Sequence, residues 1–157
     1  MRHFEFGKLN VISSSNHSDS RAIRLDMCHK LMEQCSSFEY RTSFAYENDI
    51  CEHLLNIRGS KEIFVVLDNE NYDDNIRKFL VTIPNNIPEN AMIIFETSRL
   101  EFWNDLIRSS SGNIFKLSLG DDPNFAYCKL LMRDGSEKNI CRVSSITTLE
   151  GEVEWLT

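Results

Sequence analysis

The chain contains few residues that break regular structure, and it has no long apolar run. It holds 3 prolines and 6 glycines among 157 residues, and neither a low-complexity tract nor an internal repeat interrupts it. Disordered and fibrous classes of protein are therefore excluded on composition. No apolar stretch approaches the roughly 18 residues that a transmembrane helix needs, and the N-terminus lacks the apolar core of a signal peptide. We expect a single cytoplasmic domain without a membrane partner.

The chain has fewer basic than acidic residues. The chain has 17 basic and 24 acidic residues, which gives a formal net charge of −7. A protein that holds nucleic acid in general needs a basic face that displaces counterions from the phosphates. The charge balance therefore predicts no general nucleic-acid binding, and it favours a basic protein partner.

Cysteine is present without the spacing of a metal site or a disulfide framework. The five residues are odd in number and include no C-x-x-C pair, which is typical of reduced, buried thiols; they are Cys28, Cys35, Cys51, Cys128 and Cys141. Asp134-Gly135 predicts a two-residue β-hairpin turn between two apolar runs. That register would place Cys128 directly opposite Cys141, either as two small core residues or as a redox pair.

Strand and helix patterns alternate along the chain. Short apolar or alternating runs predict five strands, and apolar residues at helical spacing predict helices between them. The strands are expected at residues 9–13, 38–44, 63–67, 91–95 and 114–119, and the first two helices at residues 23–35 and 50–57. Right-handed crossovers would arrange such a (βα)₄β chain as a parallel sheet with helices on both faces.

The predicted fold class is α/β, a three-layer sandwich with a mostly parallel five-stranded sheet and a C-terminal β-hairpin at one edge. Residues 1–157 are expected to form a single domain. Its Rossmann-like or P-loop-like core would cover residues 1–120, and a hairpin and tail extension would cover residues 121–157. The tail carries Trp155 and Leu156 and is expected to dock as a last strand.

Residues 11–21 have the pattern of a strand, a polar loop and a helix start. Against the phosphate-loop template G-x-x-x-x-G-K-[ST], Ser13 and Ser18 replace the glycines, Asp19 replaces the lysine, and Ser20 keeps the final hydroxyl. A carboxylate in the lysine position repels a triphosphate. The segment therefore has the outline of a nucleotide-binding loop and lacks its chemistry.

Candidate site residues follow the strands, because open parallel sheets bind ligands beyond the carboxyl ends of their strands. No Cys, His or Ser pattern predicts a nucleophile, so no catalytic residue is assigned and an enzyme is not favoured. The candidate pocket residues are Ser13, Ser15, Ser18, Asp19, Ser20, Arg21, Asn69, Tyr72, Thr97, Ser98 and Arg99.

The segment from Lys61 to Leu119 resembles a degenerate P-loop domain of the AAA+ type, most closely the clamp-loader subunits that keep this fold without hydrolysing ATP. In that resemblance residues 64–68, FVVLD, form the Walker B strand, and Thr97 or Ser98 stands at the first sensor. The segment IPENAMIIFETSRLEFWNDLI and a closing strand follow in the same order. The phosphate loop departs from the family, and no helical lid domain follows.

The resemblance implies a scaffold that holds other proteins together. We therefore predict a non-catalytic protein-association module, a subunit of a larger, replication-type complex, that binds its protein partner through the sheet edge or the C-terminal tail. No cofactor is expected on this interpretation.

Two alternatives assign a ligand to the same edge. In the first, Asp68, Glu70 and Glu96 converge with Asp19 and bind Mg²⁺ for phosphoryl transfer or phosphodiester cleavage. The competing explanation is that such acids cap helix N-termini, where the helix dipole favours negative charge.

In the second alternative, the hydroxyl-rich residues 14–21 resemble the loop with which flavodoxin-like reductases hold the FMN phosphate. Backbone N–H groups at a helix N-terminus can bind a phosphate without a lysine. Tyr72 and Trp103 would then flank the isoalloxazine ring.

Overall fold

Eight strands and two complete helices are described in the computed structural model, which covers residues 4–15, 21–26, 38–44, 61–108, 112–119, 122, 124–132, 134–144 and 153–156. Residues 21–26 are also helical. The strands are β1 (Leu9–Ser13), β2 (Phe38–Phe44), β3 (Lys61–Leu67), β4 (Ala91–Thr97), β5 (Asn113–Leu119), β6 (Phe125–Leu131), β7 (Glu137–Ser144) and β8 (Val153–Trp155), and the helices are α1 (Asp73–Thr82) and α2 (Leu100–Arg108). The predicted helix at 50–57 and the end of the first at 27–35 lie outside the described residues.

All strands belong to one mixed, curled sheet in the order β2-β3-β4-β1-β5-β6-β7-β8. The pairings from β2 to β5 are parallel. The pairings β5–β6, β6–β7 and β7–β8 are antiparallel. The five predicted strands are therefore present, and the tail docks as the last strand.

The predicted fold class, a three-layer sandwich with a mostly parallel five-stranded sheet, is wrong. The antiparallel strands are an integral part of the sheet, because they share a hydrophobic core with the parallel strands. Cys128, Ile140 and Val143 pack in one cluster with Ile12 and Ile63. Among the described residues α-helix is confined to α1, α2 and residues 21–26, so strands outnumber helices in this part of the chain.

Each face of the parallel strands is buried by different elements. On one face Phe4 stacks on Phe115 with ring centroids 4.1 Å apart, and Ile23 from the first helical segment packs in the same cluster. On the other face α1 and α2 contribute Phe79 and Trp103 to a second cluster. Because successive strand residues point to opposite faces, β1, β3 and β4 supply apolar side chains to both.

The β6–β7 hairpin departs from the expected two-residue turn. The Met132 N–H donates to the Ser136 carbonyl at 2.8 Å and the Gly135 N–H donates to the Met132 carbonyl at 3.1 Å, so the loop spans three residues, 133–135. Gly135 has φ +88°, which is the left-handed residue that such loops require. Further along, Ile140 has no partner on β6 and forms a β-bulge.

Strand β8 closes the sheet against β7. The Leu156 N–H donates to the Ile140 carbonyl at 2.8 Å, and the Trp155 indole N–H donates to the Asp26 carboxylate. The Trp155 ring also meets the edge of Phe4, with centroids 6.4 Å apart. The tail is thereby tied to both the N-terminal segment and the first helical segment.

Candidate functional site at the carboxyl ends of the parallel strands

The carboxyl ends of β1, β4 and β3 lie side by side. β1 pairs with β4 as far as Ser13 and Thr97, and β3 pairs with β4 as far as Leu67 and Glu96. One further hydrogen bond continues each pairing, from Ser14 N–H to the Thr97 carbonyl at 3.0 Å and from Asp68 N–H to the Glu96 carbonyl at 2.9 Å. The segments that follow the three strands therefore start from one edge.

A network of hydrogen bonds surrounds the Asp68 carboxylate at this edge. Its Oδ2 accepts from Thr97 Oγ1 at 2.7 Å, Arg99 Nε at 3.0 Å and Trp103 Nε1 at 3.2 Å, and its Oδ1 accepts from an Arg99 terminal nitrogen at 2.7 Å. The same terminal nitrogen donates to Asp73 Oδ1 at 2.8 Å. We call Asp68, Asp73, Thr97, Arg99 and Trp103 the Asp68 cluster.

The local sequence explains how three donors reach one carboxylate. Thr97 is the last residue of β4, and its Oγ1 also accepts from the Arg99 N–H at 2.9 Å, which turns the chain towards α2. The Arg99 carbonyl accepts the N–H groups of Phe102 and Trp103. Residues four apart lie on the same face of a helix, so the side chains of Arg99 and Trp103 reach Asp68 together.

The electrostatics of the cluster favour the ionised carboxylate. The Asp68 side chain is 4 % exposed, and burial by itself raises its pKa. Hydrogen bonds from Arg99, Thr97 and Trp103 outweigh this desolvation and hold the pKa of Asp68 below its usual value. The same pairing, first with Asp68 and then with Asp73, raises the pKa of Arg99. Asp68 and Arg99 thus form a locked ion pair.

A second buried ion pair lies on the opposite face of β4. Arg24 Nε lies 2.8 Å from Glu96 Oε1, and both side chains are almost fully buried. Glu96 precedes Thr97 in the strand, so the two residues point to opposite faces. Glu96 therefore holds the first helical segment on the sheet and stays apart from Asp68.

Aromatic rings extend the Asp68 cluster to the surface. The Arg99 guanidinium lies 4.7 Å from the centroid of the Phe102 ring and 5.4 Å from that of Trp103. Trp103 is 1 % exposed, whereas Phe102 is 54 % exposed. The outer side of the cluster is therefore a stacked arginine and a solvent-facing aromatic ring.

The structure brings some of the candidate pocket residues together and separates others. Thr97 and Arg99 meet at Asp68, whereas Asn69 caps a short 3-10 turn by accepting the Asn71 N–H at 3.0 Å. The remaining described candidates have half-buried or exposed side chains and no part in the Asp68 cluster; they are Ser13, Ser15, Arg21, Tyr72 and Ser98. Ser18, Asp19 and Ser20 lie outside the described residues.

Sequence reasoning missed several partners of the charged groups. Arg24 and Asp73 were not assigned to the site, although Arg24 pairs with Glu96 and Asp73 pairs with Arg99. Trp103 was assigned only as a flank of a flavin ring, whereas it donates a hydrogen bond to Asp68. The spacing of four between Arg99 and Trp103, which places both on one face of a helix, is a local signal for a shared acceptor. The sequence next to Arg24 carries no comparable signal, because neighbouring residues on a helix point to different faces.

The three acids proposed for Mg²⁺ do not converge. Asp68 and Glu96 lie on opposite faces of the sheet and each pairs with an arginine, while Glu70 is exposed in the 3-10 turn that follows β3. Within the described ranges no three His, Cys, Asp or Glu side chains are grouped closely enough to hold a metal ion.

The features expected for FMN are also arranged differently. The strand order places β1 between β4 and β5, whereas a flavodoxin-like sheet has the order 2-1-3-4-5 with the flavin at the β1/β3 switch point. The buried Trp103 ring already packs against Arg77, Arg99 and Phe102. It therefore offers no open face to a flavin ring.

Comparison with known proteins leaves the function to be argued from this site. No protein-family model matches the chain, and no curated protein matches it. Among the described residues no helix is long and apolar enough to cross a membrane. Chemically, the Asp68 cluster neutralises a buried carboxylate with an arginine and anchors α2 to the ends of β3 and β4.

Proposed function

We propose that the protein is a non-catalytic protein-association module on a degenerate nucleotide-binding scaffold, working in the cytoplasm. One observation carries the proposal: both oxygens of Asp68 accept hydrogen bonds from Arg99. In P-loop nucleotide hydrolases a Walker B aspartate holds Mg²⁺ against the phosphates. Here Asp68 resembles that aspartate, and its counter-ion is Arg99 of the same chain in place of a metal ion.

The geometry around Arg99 supports a structural role for this ion pair. Arg99 binds two aspartates and stacks on two rings, so removing it would leave a buried carboxylate without a counter-ion. Buried charges are costly unless they are paired. A cation that competed for Asp68 would have to displace the guanidinium and its stacked rings. The scaffold is thus stabilised without a nucleotide.

The sequence suggests docking at the sheet edge that carries the hairpin, or at the tail; we propose the opposite edge of the sheet instead. Trp155 donates to Asp26 and packs against Phe4, so the tail is engaged within the fold. At the other end of the strand order, β2 pairs with β3 along all seven of its residues, and no described residue pairs with its outer side. We propose that the partner adds a strand there, by backbone hydrogen bonds.

The resemblance to clamp-loader subunits extends the proposal to the kind of assembly. Subunits of that type hold other proteins together without hydrolysing ATP, and the net charge of −7 suits a basic partner. We therefore propose that the protein is a subunit of a larger, replication-type complex.

The first test is a thermal-shift screen of the purified protein against Mg²⁺, Mn²⁺, ATP, ADP, GTP, NAD and FMN. A ligand at 100 times its dissociation constant stabilises its protein by about 2.7 kcal/mol, which moves the melting temperature by roughly 5–10 °C in a domain of this size. We expect a flat screen. A shift of that size with any one compound would contradict the degenerate site.

The second test examines the β2 edge with two neighbouring proline substitutions, Arg41→Pro and Thr42→Pro. The N–H groups of adjacent strand residues point to opposite sides, and proline removes the donor. One variant should therefore break the pairing with β3, and the other should block only the outer side. We expect the variant that blocks only the outer side to melt like the wild type yet to elute from native cell extract near its 18.3 kDa monomer mass. The wild type should elute in a larger complex. A folded edge variant that stays in the complex would exclude this edge.

A further inference from the structure

We propose that Cys128 and Cys141 form a reversible disulfide, a redox modification site inside the curled sheet. The two residues are direct partners on the antiparallel strands β6 and β7, both are free thiols, and both are 0 % exposed. Directly opposed residues of antiparallel strands have Cα atoms about 4.5–5.5 Å apart, and a disulfide tolerates this separation. The backbone is already placed for the bond.

The bulge at Ile140 is what sets the two cysteines opposite each other. Near the loop, β6 pairs with β7 in the register of Lys129 with Asn139, and this register would continue with Cys128 opposite Ile140. Because Ile140 is the extra residue, the next pair is Cys128 with Cys141 instead. Bulges commonly re-aim side chains in this way. Both Ile140 and Cys141 are consequently buried in the same cluster.

Burial in the folded protein protects both thiols from oxidation. Contact with Cys141, and in second place burial, raise the pKa of the Cys128 thiol above its usual range. The thiolate is the reactive form of cysteine, so oxidation requires the strands to open. β8 pairs with Cys141 through Trp155, has three residues and ends the strand order. Edges of this kind open at a lower free energy than a sheet centre, which gives the oxidant its route.

Hydrogen peroxide is the oxidant for which the reaction is written. One thiol is first converted to a sulfenic acid with release of water, and the second thiol then displaces a second water as the S–S bond forms. In total two S–H bonds and the O–O bond break, and the peroxide accepts two electrons and two protons. A thiol reductant reverses the modification by disulfide exchange.

The disulfide is expected to stabilise the fold. It ties β6 to β7 and restricts the unfolded chain, and for a loop of this length the melting temperature should rise by about 5–10 °C. Because directly opposed strand residues lie within the range that a disulfide tolerates, we expect little of this gain to be lost to strain.

The experiment treats the folded wild-type protein with hydrogen peroxide and then labels the remaining thiols with N-ethylmaleimide in denaturant. We expect a mass lower by about 2 Da before labelling, a linked peptide that joins Cys128 to Cys141, and a higher melting temperature. Dithiothreitol should restore labelling of all five cysteines. A Cys28→Ser/Cys35→Ser/Cys51→Ser variant should give the same link, and the further change Cys141→Ser should abolish it.

The peptide map of the wild type shows whether Cys128 and Cys141 are linked, even where a variant fails to fold. Full maleimide labelling of Cys128 and Cys141 after peroxide has oxidised other cysteines would overturn the proposal. A link that lowers the melting temperature would overturn it as well, because it would show that the sheet must distort to accept the bond.

Discussion

Arg99 donates hydrogen bonds to both carboxylate oxygens of Asp68, at 3.0 Å from Nε and at 2.7 Å from a terminal nitrogen. The paired geometry is one that arginine makes and lysine cannot. It joins the start of α2 to the end of β3, and a third contact from Arg99 reaches Asp73 at the start of α1. One guanidinium therefore connects both helices to the carboxyl ends of the parallel strands.

Replacing Arg99 with alanine should destabilise the protein by about 3 kcal/mol, because it leaves the buried Asp68 charge without its counter-ion. Urea unfolding at neutral pH measures the effect. Arg142→Ala is the matched control, since Arg142 also pairs with an acid, Glu154, at 2.6 Å but at the surface. Surface ion pairs contribute little, so the control should unfold close to the wild type. Equal losses in both variants would contradict a buried role for Arg99.

The contribution of Asp68 should depend on pH. Its pKa is lowered in the folded protein, because the hydrogen bonds from Arg99, Thr97 and Trp103 together outweigh desolvation. A carboxylate of this kind contributes stability that is fully present above its unfolded pKa of about 4 and is lost as the pH falls towards the folded value. We expect the stability difference between wild type and Asp68→Asn to be constant from about pH 7 to pH 5 and to shrink below about pH 4.

Urea titrations of both proteins at a series of pH values check this expectation. Asp105→Asn, which removes an exposed carboxylate from α2, is the control for a general change of net charge. If the difference between wild type and Asp68→Asn is as large at pH 3 as at pH 6, Asp68 does not titrate as its surroundings require.

The sequence predicts the strands well because their signals are local. Residues 9–13 and 38–44 were predicted with the bounds that β1 and β2 have, since alternation and continuous apolar runs reflect burial of single strands. Strand direction and membership of a common core depend on distant pairing. The Asp134-Gly135 pattern predicts a hairpin, but it does not reveal that Cys128 and Val143 pack with Ile12. For this reason the fold class was predicted wrongly.

The sequence indicates which acids lie near the strand ends, but it does not reveal the partners that bind them. Placing acids at strand ends follows from the general rule for parallel sheets. Asp68 directly follows β3, and Glu96 is the penultimate residue of β4. Which face each acid occupies follows from the alternation of the strand, and its partner comes from a different element, as Arg24 does for Glu96. The pairing of Cys128 with Cys141 was predicted from a two-residue turn; the loop has three residues, and the bulge restores the pair.

Gly112 should be the least replaceable glycine among the described residues. A Cβ built there would lie 1.8 Å from the Leu9 carbonyl oxygen, so β5 could not keep its approach to β1. Because backbone rather than a flexible side chain blocks the space, Gly112→Ala should cost at least about 3 kcal/mol.

Gly135→Ala provides the comparison, because Gly135 has φ +88° and no atom within 4 Å of an added Cβ. Its cost is conformational only, about 1 kcal/mol. Thermal unfolding of both variants separates the two causes. If Gly112→Ala is no worse than Gly135→Ala, then β1 and β5 do not approach as closely as described.

The tail should behave as part of the fold and not as a free docking arm. Trp155 donates to Asp26 and meets Phe4, so Trp155→Ala removes a ring contact and a hydrogen bond and should lower stability by about 2–4 kcal/mol. Leu156, its 38 % exposed neighbour, is the control, and Leu156→Ala should lose less than about 1 kcal/mol. Urea unfolding gives both values.

The same pair of variants discriminates between the two docking positions. If the partner binds at the β2 edge, a Leu156→Ala chain that remains folded should stay in the complex that the wild type forms. Should Leu156→Ala unfold like the wild type yet elute as a monomer from native extract, the tail would be the docking element and the β2 edge would not. A Trp155→Ala variant as stable as the wild type would also favour the tail as the docking element, because the Trp155 side chain would then contribute nothing to folding and could bind a partner.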